Sequence, residues 1–104
     1  MGKYVLAYRG GSTPESPAEQ EAVMGQWMSW FGQLGASVVD GGNPFGPAQT
    51  IASDGAVRDG GAAALTGYSI IDADSLDAAA TMAKGCPVLS SGGSVDVYET
   101  IAIG

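Results

Sequence analysis

The densest set of chemically useful side chains is the segment Asp40-Gly41-Gly42-Asn43-Pro44-Phe45-Gly46-Pro47. It holds a carboxylate, an amide and an aromatic ring in one short stretch. Such a stretch is either a ligand-contacting loop at the mouth of a cavity or a turn-rich connection in which Asp40 and Asn43 bond their own backbone. Tyr8, Tyr68 and Tyr98 fall inside three strand-like stretches. Tyrosine joins an apolar body to a polar tip, which suits a small-molecule pocket and a protein interface alike. With Arg9 or Asp96 the three tyrosines could line one cavity. A carboxylate, Asp40 or Asp96, beside a tyrosine or arginine that polarises the substrate would give acid–base chemistry on a small metabolite. The same groups without proton transfer give a binding module. The chain has no histidine, the side chain whose ordinary titration lies nearest neutrality, and this tilts the reading towards binding. The expected ligand-binding set is therefore Tyr8, Asp40, Asn43, Phe45, Tyr68 and Tyr98.

Other polar features read as structural. Glu19 stands three residues after Ser16, and a capping box accounts for it. Ser90-Ser91-Gly92-Gly93-Ser94 could present consecutive amides to an anion, or be a flexible loop. It has no Walker lysine and no G-x-G-x-x-G spacing, so no cofactor is expected. Cys86 follows a helix C-terminus, where the dipole disfavours a thiolate, and is expected to be buried and inert. With one cysteine and no histidine, and carboxylates without ligand spacing, no metal site is expected.

Composition narrows the classes further. Four basic residues against eleven acidic ones, a net charge of −7, leave no electrostatic footprint for nucleic acid. No apolar run approaches the roughly 20 residues of a membrane-spanning helix. Met1-Gly2-Lys3-Tyr4 runs straight into a strand pattern with no signal-peptide character. A lone cysteine suits a reducing compartment, and a cytoplasmic location is expected. At 104 residues the chain is read as a single domain spanning residues 1–104.

These side chains must be positioned by a small set of elements. Residues 3–9 alternate as a strand, with Tyr4, Leu6 and Tyr8 on one side and Val5, Ala7 and Arg9 on the other. Ser16 caps a helix over Pro17–Leu34, in which Val23, Trp27, Trp30 and Leu34 make one face and Met24, Met28 and Phe31 widen it. Residues 36–39 are a short strand. Residues 50–58 form a hairpin about Asp54-Gly55, which suits a type I′ turn with both residues at positive φ. Residues 65–71 are a third main strand. Asp74 or Ser75 caps a second helix with Leu76, Ala79, Ala80 and Ala83 inward, and residues 95–103 are the last strand. The order is α+β, a ferredoxin-like βαββαβ pattern. A four-stranded antiparallel sheet carries two helices on one face, with an inserted β-hairpin. Strands apolar on both sides are usually covered on both sides, so a homodimer through the open sheet face is expected.

Several segments together carry a family resemblance. They are Lys3-Tyr4-Val5-Leu6, Val57-Arg58-Asp59-Gly60-Gly61, Leu65-Thr66-Gly67-Tyr68-Ser69-Ile70-Ile71 with Asp74-Ser75-Leu76-Asp77-Ala78-Ala79, and Ala83-Lys84-Gly85-Cys86-Pro87 leading to Gly93-Ser94-Val95-Asp96-Val97. In this combination, over essentially the whole chain, the sequence resembles the YCII-related family, especially its DGPF-domain branch. The resemblance implies a dimeric α+β barrel. Two departures stand out. Asp59-Gly60-Gly61-Ala62 replaces the Asp-Gly-Pro-Phe of the branch. Glu19 stands near the place where YCII-type members carry a histidine, which excludes histidine-based chemistry here.

Overall fold

Alternating side chains, local caps and glycine stops divide the chain into β1 (Gly2–Arg9), α1 (Pro17–Leu34), β2 (Val38–Asp40), β3 (Gln49–Ile51), β4 (Val57–Asp59), β5 (Leu65–Ala73), α2 (Leu76–Ala83) and β6 (Ser94–Glu99). The structure, a computed structural model, describes residues 2–11, 15–60 and 65–103. Ser12-Thr13-Pro14 and the Gly61-Ala62 end of Asp59-Gly60-Gly61-Ala62 lie outside the described residues.

The caps act locally. Ser16 Oγ accepts the Glu19 amide at 3.2 Å and Pro17 opens α1 where no amide partner is needed. The Glu19 carboxylate reaches one residue further back than a capping box requires and accepts from the Glu15 amide at 3.0 Å. Gly35, at φ 56, ends the helix. The stripe Val23, Trp27, Trp30 and Leu34 faces inward, with Trp30 buried and the other three half-buried. Met24 and Met28, expected to widen this face, are 58% and 71% exposed, because each lies about 100° round the helix from Val23 and Trp27. Ser75 caps α2 through the Ala78 amide. Ala79 and Ala83 are buried there, while Leu76 lies outside the core. The Trp30 indole donates to the Met82 carbonyl at 3.1 Å and ties the two helices together.

The four main strands form one antiparallel sheet in the order β2-β5-β1-β6. Both helices pack on the side bearing Tyr4, Leu6, Tyr8, Ile71 and Ala73, where Val95 and Val97 complete the core. A 3-10 helix over Pro87–Ser91 leads into β6 and buries Pro87 and Val88. It takes in Ser90 and Ser91, the first two residues of the Gly/Ser segment.

Several bounds differ from expectation. Gly35–Ser37 form a 3-10 helix, so β2 covers Val38–Asp40 rather than 36–39, and β5 runs on to Ala73, which pairs with Gly2, rather than ending at 71. The last strand stops at Glu99 rather than 103. Both the amide and the hydroxyl of Thr100 donate to the Lys3 carbonyl, at 3.1 and 2.7 Å, and β1 begins at Gly2, so the ladder has no partner further on. Ile101 and Ile103 are consequently 79% and 95% exposed. The hairpin also differs. Ala52 pairs with Ala56, the Gly55 amide donates to Ala52, and Asp54 Oδ1 accepts from the Ala56 amide. The connection is a three-residue loop in which Gly55, at φ 91, carries the left-handed conformation and Asp54 has no need of it.

Candidate functional site

Cross-strand register decides which tyrosines share a face. Ala7 lies opposite Tyr68 on one side and Asp96 on the other; Val5 lies opposite Ile70 and Tyr98. Paired residues point the same way, so Val5, Ala7, Arg9, Tyr68, Ile70, Asp96 and Tyr98 make up the sheet face away from the helices. A bulge between Val38 and Asp40 brings Asp40 opposite Ile70. Phe45, in the loop that follows, stacks on Tyr68 with ring centroids 5.7 Å apart and planes 18° from parallel. Asp40, Phe45, Tyr68 and Tyr98 are thus brought to one face. Asn43, exposed, holds the loop to β5 through its carbonyl, 3.4 Å from the Tyr68 amide.

Tyr8 is not part of that group. It lies opposite Gly67 and Val95, on the helix-covered face, and is 5% exposed. Its ring meets Trp27 edge to face at 5.1 Å. Its hydroxyl donates to Ser69 Oγ at 2.7 Å, and Ser69 Oγ donates to the Gly41 carbonyl at 2.7 Å. Burial pushes the Tyr8 hydroxyl well above its ordinary range, the Ser69 bond pulls the other way, and the nearby Cys86 thiol adds to the rise. Tyr8 therefore cannot meet a ligand on the open face. It holds, through Ser69, the loop that carries Phe45. Ser69 was missed from sequence because a lone hydroxyl in an apolar strand gives no signal until its partner is known.

The charged groups of the open face are largely committed. Arg9 Nε and Asp96 Oδ2 lie 2.7 Å apart, both atoms shielded from water. They meet as charges rather than as an aligned hydrogen bond, and the Arg9 side chain stays 43% exposed. Asp40 Oδ1 accepts the Gly42 amide at 2.8 Å, a turn bond of its own loop. Gly42, at φ 76, passes so close to β5 that a Cβ there would overlap the Tyr68 carbonyl.

A concavity of about 440 Å³ opens instead between α1 and the 3-10 helix, lined in part by Gly11, Glu19, Gln26, Trp27, Thr66 and Ser91. Its hydroxyls mostly serve the backbone: Ser91 donates to Val88 at 3.1 Å and Thr66 to Gly10 at 3.4 Å. Two amides of the Gly/Ser segment are engaged as well, since Gly92 and Gly93 donate to the Leu89 and Val88 carbonyls. Cys86 beside it is buried, and desolvation pushes its thiol up to about 11. Among the described residues no group of three or more Cys, Asp or Glu side chains could hold a metal ion, and no helix is long and apolar enough to cross a membrane.

A scan against protein-family models finds no match to this chain, and neither does a search of curated proteins.

Proposed function

We propose that this chain is a YCII-related protein of the DGPF type, a ferredoxin-like domain that forms a cytoplasmic homodimer and binds a small molecule between its open sheet face and the loop after β2. The strand order β2-β5-β1-β6 supports the fold assignment, because with the small hairpin set aside it is second-third-first-fourth, the order of a split βαβ unit. The observation that carries the functional reading is the Phe45–Tyr68 stack on a sheet face that the chain's own helices leave uncovered. Val5 and Ile70 lie beside it half-buried, and Tyr98 is 56% exposed. A second copy set sheet against sheet encloses this surface, with aromatic walls from the strands and adaptable polar groups from the loop.

Binding is favoured over acid–base catalysis because the groups that would move protons are engaged. Asp40 closes its own turn, Asp96 is paired with Arg9, and Tyr8 is inside the core. The exposed part of Arg9 is the group best placed to attract an anionic function on the ligand.

The test is an amide-shift NMR titration of the full chain with a panel of small metabolites and aromatic acids. Shifts should cluster at Asp40, Phe45, Tyr68 and Ile70 and vanish in Phe45→Ala. Shifts confined to Glu19, Trp27 and Thr66 would move the site to the α1 cleft and reject this reading.

A further inference from the structure

We propose that Asp54-Gly55, at the tip of the β3–β4 hairpin, is a site of spontaneous backbone isomerisation, where the aspartyl peptide converts through a cyclic imide to isoaspartate. The chain contains three Asp-Gly pairs, Asp40-Gly41, Asp54-Gly55 and Asp59-Gly60, and all six residues are exposed. In each pair a glycine, with no side chain to hinder attack, follows the carboxyl group. The reaction needs only the peptide and water. The Gly55 nitrogen bonds to Asp54 Cγ, and its hydrogen leaves with the carboxyl hydroxyl as one water. A second water then opens the imide. Where it cleaves the bond from the Gly55 nitrogen to the original main-chain carbonyl carbon, the backbone runs on through Cβ and Cγ and a free α-carboxylate remains.

Two requirements separate the three pairs: a carboxyl group bent over the following peptide, and a local chain free to move. Asp54 meets both. Its Oδ1 accepts from the Ala56 amide at 2.9 Å, which folds the carboxyl group towards the Gly55 peptide. The Gly55 amide is bonded across the turn to the Ala52 carbonyl at 2.9 Å. Beyond its chain neighbours, nothing lies within 4 Å of where a Gly55 Cβ would sit. The hairpin below pairs Gln49 with Asp59, Thr50 with Arg58 and Ile51 with Val57, and makes no substantial packing with any other element. Such a ribbon is marginal in water and opens at low cost, which releases the Gly55 amide. Asp40 meets only the first requirement. Its Oδ1 accepts the Gly42 amide at 2.8 Å, but Ser69 donates to the Gly41 carbonyl and Gly42 lies against the Tyr68 carbonyl. An imide there would have to lift the loop off β5. Asp59 is held in β4 opposite Gln49, and an extended strand directs its side chain away from the ladder. Its Gly60 amide donates to the Ala48 carbonyl at 2.7 Å, and the Gly60 carbonyl accepts from Thr50 Oγ1 at 3.1 Å. The inserted backbone atom at Asp54 falls in a segment the core does not use, so the isomerised chain keeps its four-stranded sheet.

Ageing the full chain at neutral pH, folded and in urea, tests this, with isoaspartate located by peptide mapping and electron-transfer fragmentation. Incubation continues until the unfolded sample carries measurable product at all three pairs. In the folded chain Asp54 should react fastest, within about tenfold of its rate in urea, and Asp40 slowest, at least about a hundredfold below its own rate in urea. Asp59 should fall between them. Asp54→Glu, which would have to close a larger ring, should lose the product at that position while the far-ultraviolet spectrum and the other two pairs stay as they were. Asp40 reacting as fast as Asp54 in the folded chain, Asp59 overtaking it, or Asp54 slowed by folding as strongly as Asp40 would each overturn the assignment.

Discussion

At position 42 glycine is required on two counts: its φ of 76 is left-handed, and any Cβ would run into the Tyr68 carbonyl. Gly42→Ala should therefore cost about 3 kcal/mol or more in a denaturant melt, well beyond an ordinary surface substitution. Neighbouring Asp40 makes a milder test. If its role is the turn bond to the Gly42 amide, Asp40→Ala should lower stability by about 1 kcal/mol, and a ligand titration will show whether binding falls with it. Ser69 is more costly to lose, because Ser69→Ala leaves the buried Tyr8 hydroxyl and the Gly41 carbonyl without their shared partner. About 1–3 kcal/mol is expected, and a double-mutant cycle with Tyr8→Phe should show strong coupling. Cys86 sets an alkaline limit. Its thiol is neutral in both folded and unfolded chains below its ordinary value of 9.0, and ionises only in the unfolded chain between there and about 11. The unfolded state then binds fewer protons, so stability falls as pH rises through that window. Tyr8, also raised by burial, acts in the same direction at higher pH. Melts of Cys86→Ala across alkaline pH should lose the earlier part of this decline.

The elements differ in how far they could be read from sequence, and the difference follows the range of the interactions that define them. The bounds of α1 were legible because Ser16, Pro17, Gly35 and the Val23, Trp27, Trp30, Leu34 spacing all act within a turn or two. The three-residue hairpin loop was not, since Asp-Gly serves either geometry and the choice lies in whether Ala52 pairs with Ala56. The faces of the tyrosines depend on longer range still. Alternation placed Tyr8 with Tyr4 and Leu6, yet only the register of Ala7 with Tyr68 and Asp96 shows that Tyr68 and Tyr98 lie on the opposite side. A one-residue slip would reverse that assignment. The Phe45–Tyr68 contact was legible only as a proximity of loop and strand, because the bulge at Val38 and Asp40 that aims the loop leaves no mark in the sequence. Gly55 offers a check at this scale. With open space around its Cβ position and φ 91, Gly55→Val should cost about 1–2 kcal/mol through backbone strain. Hydrogen exchange should quicken at Ala52 while the amides of β1 and β5 stay protected. Loss of protection throughout the sheet would show that the hairpin supports the core.

At the scale of the whole molecule, one question governs the rest: whether the face bearing Val5, Tyr68, Ile70 and Tyr98 is covered by a second copy. Each protomer carries a net charge of −7, so association must overcome mutual repulsion and should strengthen as salt screens it. Sedimentation equilibrium of the unmodified chain is the most direct test. A dimer predicts a species of twice 10.4 kDa that Tyr68→Glu converts to folded monomer, since an unpaired carboxylate would be buried at the contact. A species of 10.4 kDa at every concentration and salt, with Tyr68 and Tyr98 freely solvated, would contradict the account.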